Sequence, residues 1–162
     1  MDFDLLGLVH TVLGVSALGF GASVLGSEKG TLRHKRLGRA YGASMVGLLA
    51  TALLIYDLFG YFGPFHCLAI ISLVTLVAGL APVLRRRPDG TWVDYHAHFM
   101  CWSFIGLVAA TVAEITTRLP SVPFQSGVIG SSVLVILVGY VVVRTRLRPL
   151  LRKRREEFLE RG

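Results

Sequence analysis

Five long apolar runs, separated by short blocks of charge, constrain this chain more than any other feature. They cover about residues 5–25, 38–59, 65–84, 97–117 and 125–143. Each approaches the roughly 20 residues that an α-helix needs to cross a hydrocarbon core. None carries the polar face that an outer helix of a soluble bundle turns to water. The mean hydropathy of +0.62 and the 17% of charged residues agree with that pattern. The expected fold is all-α: a polytopic membrane protein with five transmembrane helices, a four-helix bundle core plus one helix. Residues 1–143 would form the transmembrane domain and residues 144–162 a basic tail.

Charge orders the spans. Lys29, Arg33, Lys35, Arg36 and Arg39 lie between the first two runs, and Arg85, Arg86 and Arg87 between the third and fourth. Arg144, Arg146, Arg148, Arg152, Lys153, Arg154, Arg155 and Arg161 follow the fifth. With five spans all of these fall on one side, and Arg118 alone falls on the other. The positive-inside rule makes the rich side cytoplasmic, so the N-terminus is expected outside and the C-terminus inside. The net charge of +7 then reflects topology and gives no reason to invoke nucleic acid. The expected surroundings are a lipid bilayer whose basic side faces the cytoplasm, with anionic headgroups at the basic tail. Asp2 and Asp4 stand where a signal peptide would be basic, which suits an uncleaved first span. Asp57 is expected to cap the second span, Pro88-Asp89-Gly90 to make a turn, and Pro149 to kink the tail.

Ionisable residues at membrane depth are costly and direct attention to function. The topology places His10 and His66 near the outer ends of spans one and three. His34 lies at the inner start of span two, and His96 and His98 open span four. Spans one and three, and spans two and four, can face each other across a four-helix bundle. His10 with His66 would then hold an outer haem b, and His34 with His98 an inner one. Histidine is a common axial ligand, and bundle cores house cofactors. Gly7, Gly14, Ala17 and Gly21 lie at steps of three and four from His10, leaving room for a flat macrocycle or simply for tight helix packing.

A competing constellation puts His34, His96, His98 and Asp94 round an inner-face zinc with a structural or hydrolytic role. The His96-x-His98 spacing suits that site only if the helix starts after His96, because helical residues two apart face different ways. A third reading has no cofactor: an accessory subunit that holds a larger membrane complex together. In the haem reading the function is transmembrane electron transfer, as a membrane oxidoreductase if an enzyme, with a quinol or small reductant as donor. Glu114 and Arg118 are spaced to pair, and Glu114 is also a candidate for handling a proton.

Several of these residues also carry a family resemblance. His10 with Gly14, Gly30-Thr31, His34, Gly38-Arg39, Tyr41, Phe65-His66, and His98 with Met100 resemble the pattern of small bacterial integral membrane proteins of unknown function, the domain-of-unknown-function family 2306. The resemblance covers about residues 7–118, leaves the basic tail outside, and is most specific over residues 30–41. It implies a bacterial integral membrane protein and brings no activity, substrate or cofactor. The alternating histidines are similar in topology, not in sequence, to transmembrane di-haem b-type cytochromes.

Overall fold

The computed structural model describes residues 5–56, 60–85, 91–120 and 122–160. Regular structure among the described residues is entirely helical: α1 (Leu5–Gly26), α2 (Leu32–Leu54), α3 (Pro64–Arg85), α4 (Thr91–Thr117), α5 (Phe124–Val142) and α6 (Arg148–Glu160). A π-helical turn, Val143–Leu147, joins α5 to α6. Five helices are long and apolar enough to cross a membrane, the fifth being the continuous segment Phe124–Glu157. Asp2, Asp4, Asp57, Arg86, Arg87, Arg161 and the Pro88-Asp89-Gly90 turn lie outside the described residues.

Three boundaries differ from the apolar runs, each for a physical reason. α2 begins at Leu32, ahead of its apolar run, because Thr31 caps it: the Thr31 hydroxyl accepts the His34 backbone N–H at 3.2 Å. The basic residues that follow are good helix formers, and hydropathy alone cannot see them. α4 likewise begins at Thr91, with Asp94 in its first turn, where a carboxylate complements the helix dipole. It therefore does not start after His96, the condition on which the His96–His98 zinc pairing depended. The third difference lies in the tail, where the π turn Val143–Leu147 stands just ahead of Pro149. Pro149 has no N–H to offer the Thr145 carbonyl and would crowd it in a continuous α-helix. The turn absorbs the mismatch, and the Arg148 N–H reaches back to the Val143 carbonyl.

The chain divides into two compact units, Met1–Val74 and Thr75–Gly162. In the first, α1 and α2 form an antiparallel hairpin. Lys29 Nζ caps the end of α1 through the carbonyls of Val24 (2.9 Å) and Leu25 (2.7 Å). Gly30, at φ +82°, takes the left-handed conformation that turns the chain into α2. The hairpin core holds Ala17 and Gly21 of α1 and Tyr41, Met45, Leu48 and Leu49 of α2. Gly47 lets the helices approach closely, since a Cβ there would lie 3.1 Å from Leu13.

In the second unit α4 packs on α5. Gly139 is buried against Ile105, and Ser103, Leu107, Ala109 and Ala113 are buried on α4. Ile129, Val133, Leu137 and Val141 of α5 remain exposed, as expected of a face turned to hydrocarbon.

A histidine bond clasps the hairpin at each end: His10 Nδ1 lies 2.9 Å from Thr51 Oγ1, and His34 Nδ1 lies 3.2 Å from Ser27 Oγ. Thr51→Val removes the first clasp with little change of volume. It is expected to cost about 0.5–1 kcal/mol, the usual worth of one such bond between membrane helices. Unfolding of the purified protein in mixed micelles would measure it.

Candidate functional site

Hydrogen-bond partners sort the five histidines by where each neutral ring carries its proton. Thr51 Oγ1 gives its single proton to the carbonyls of Leu48 (2.8 Å) and Gly47 (3.0 Å) in its own helix. With its proton so placed it accepts from His10 Nδ1, 2.9 Å away. Ser27 offers the same arrangement: its hydroxyl lies 2.8 Å from the Val24 carbonyl and 3.2 Å from His34 Nδ1. His96 Nδ1 donates to the Gly79 carbonyl at 2.7 Å. A metal-ligating histidine commonly has its Nδ1 side held by an oxygen in this way.

His98 and His66 are set the other way. Trp102 Nε1–H donates to His98 Nε2 at 3.3 Å, so that lone pair is engaged. The Gly63 backbone N–H donates to His66 Nδ1 at 3.1 Å. A backbone N–H cannot accept, so the neutral His66 ring carries its proton on Nε2. His66 is 2% exposed, and its Nε2 has no hydrogen-bond partner among the described residues. The rings of Tyr56 and Phe62 lie against it, with centroids 4.5 and 4.9 Å away. A buried, unmatched donor costs about 1–3 kcal/mol, so such a group calls for an explanation.

His10 and His66 both belong to the first unit and lie toward the same end of it. Thr51, the partner of His10, stands in the last turns of α2, and Tyr56, which packs on His66, follows directly. His34 occupies the opposite end of the hairpin. His96 and His98 belong to the second unit and take unrelated partners. Asp94 lies 3.7 Å from Arg155. Among the described residues no three His, Cys, Asp or Glu side chains gather as a metal site. Glu114 and Arg118 form the pair that their spacing predicts, at 2.7 Å and largely exposed.

Sequence reasoning marked the histidines but not the groups that define them. Thr51 lies forty-one residues from His10, and nothing local couples the two. Tyr56 lies within the second apolar run and reads as one more span residue. Phe62 lies in the short segment between the second and third apolar runs, where nothing in the sequence marks it as a neighbour of His66.

The family described as "Predicted membrane protein (DUF2306)" matches residues 7–151 of the chain. The match takes in the fifth span and the start of the tail, beyond the residues 7–118 expected from the motifs. No curated protein and no solved structure matches the chain.

Proposed function

Because the chain belongs to the DUF2306 family of predicted membrane proteins, we propose that it is an integral membrane protein that binds a lipid-soluble quinone or quinol at the His66 end of its first unit. One observation carries this reading: the buried Nε2–H of His66, without an acceptor among the described residues and beside two aromatic rings. A quinone carbonyl supplies the missing acceptor, and its flat ring suits the faces of Tyr56 and Phe62. Such a ligand reaches the site from within the bilayer. In this reading the spans keep the orientation that charge dictates, with the basic segments on the cytoplasmic side, so the site lies at the opposite, outer end. His66 binds and orients the ring oxygen through its Nε2–H.

A second reading, two b-type haems on His10–His66 and His34–His98, is favoured by His10 and His34, whose Nδ1 atoms lie against hydroxyl oxygens as those of ligand histidines often do. Its other two residues do not fit. His66 would have to release the Gly63 N–H, and His98 the Trp102 indole, before Nε2 could meet iron. An inner-face zinc lacks support for a similar reason: within α4, His96 and His98 point different ways and take different partners.

The test is a pair of measurements on one detergent-purified sample from cells supplied with haem. The visible spectrum, oxidised and dithionite-reduced, is expected to show no Soret band. Titration with a decyl-tailed benzoquinone is expected to saturate and to raise the unfolding temperature. A stoichiometric Soret band with a reduced α-band would instead establish the haem reading. Failure to bind either group would leave the accessory-subunit reading in possession.

A further inference from the structure

The second unit contains a cleft of about 640 Å³ between the start of α4 and α6. Three arginines, Arg148, Arg152 and Arg155, stand on its α6 side, spaced by four and three residues and so on one face of that helix. Leu151 shares that face, while Tyr95 and Phe99 line the α4 side. The π turn sets this arrangement. Its extra residue rotates α6 by about 100° relative to an uninterrupted helix, and so fixes which side chains face α4.

We infer that this cleft is a binding site for one anionic membrane phospholipid, whose phosphodiester is held by Arg148, Arg152 and Arg155. Charge matches the stoichiometry. Asp94 lies 3.7 Å from Arg155 and Glu156 3.0 Å from Arg152, while Arg148 has no ion pair among the described residues. One positive charge is thus left over, the complement of one phosphodiester, and guanidinium forks suit phosphate oxygens. Position selects a lipid over a soluble phosphate. α6 continues directly from the apolar α5, which puts Arg148 about one turn past the span, at headgroup height. Leu151, Tyr95 and Phe99 add the apolar wall that the first carbons of an acyl chain would cover. This site is independent of the quinone reading, since it involves other residues, another unit and another ligand.

The test uses the full-length protein in mild detergent and native mass spectrometry, with phosphatidylglycerol or phosphatidylcholine added. Wild type should retain one phosphatidylglycerol and show little retention of phosphatidylcholine. Replacing Arg148, Arg152 and Arg155 together by Gln should weaken retention about a hundredfold. Lys153→Gln with Arg154→Gln, equal in chemistry but outside the cleft, should leave it unchanged. Leu151→Trp fills the cleft without touching a charge and should also displace the lipid, which covers the case that the triple variant fails to fold. Equal retention of the two lipids, or equal loss in the Lys153/Arg154 variant, would overturn the inference. Competition by inorganic phosphate as strong as by the lipid would reassign the cleft to a soluble anion.

Discussion

Gly139→Val is expected to destabilise the second unit by about 2–3 kcal/mol, the upper range for overpacking a close helix contact. A Cβ at this position would lie 2.6, 2.8 and 2.9 Å from three side-chain carbons of Ile105. The nearest is the branched methyl next to the α4 backbone, which has little freedom to move away. α5 would have to shift off α4, and with it the π turn and α6. Gly130, on the same helix, has nothing within 4 Å of its added Cβ, so Gly130→Ala should change stability by less than about 0.5 kcal/mol. Unfolding in mixed micelles, followed by circular dichroism, compares the two. Ile105→Ala in the Gly139→Val background should restore part of the loss, which a merely local effect of valine on helix propensity would not permit. An unchanged Gly139→Val protein would show that α4 and α5 do not pack as described.

His66→Phe is expected to weaken quinone binding about ten- to a hundredfold, the cost of losing one buried hydrogen bond to the ligand. Phenylalanine keeps the ring contacts with Tyr56 and Phe62 but removes the Nε2–H. Without ligand the same change should barely alter stability. It deletes a buried donor that has no acceptor among the described residues, while leaving the Gly63 N–H without its own. The two effects oppose each other. His66→Gln keeps an N–H donor on a side chain of similar reach and should recover part of the affinity. Loss of quinone binding with a collapse of stability would mean that His66 acts by packing alone.

The spans were legible because hydrophobic length is a strong local signal: α1, α3 and α5 start and stop close to their apolar runs. The starts of α2 and α4 were harder to see. Thr31 and Asp94 set those ends through capping and dipole effects, worth far less than the burial of a span. Pro149 was legible as a disturbance, but the form of the disturbance depends on the hydrogen bonds around it, and that form decides which arginines face α4. The histidines were legible as residues and opaque as chemistry. Whether an imidazole can ligate a metal depends on which nitrogen is already engaged. For His10 the engaging group is a threonine in the next helix, for His66 a backbone N–H three residues back, and for His98 an indole one turn on. Sequence spacing treats these histidines alike, whereas the hydrogen bonds separate His66 and His98 from the rest.

The carbonyl stretch of a bound quinone tests the central claim most directly. With ¹³C-labelled carbonyls and infrared difference spectroscopy on the protein in lipid nanodiscs, one carbonyl band is predicted to move to lower frequency on binding. That shift should vanish in His66→Phe and return in part in His66→Gln. A bound quinone whose two carbonyl bands stay at their free positions in the wild-type protein would contradict the assignment of His66 as the donor.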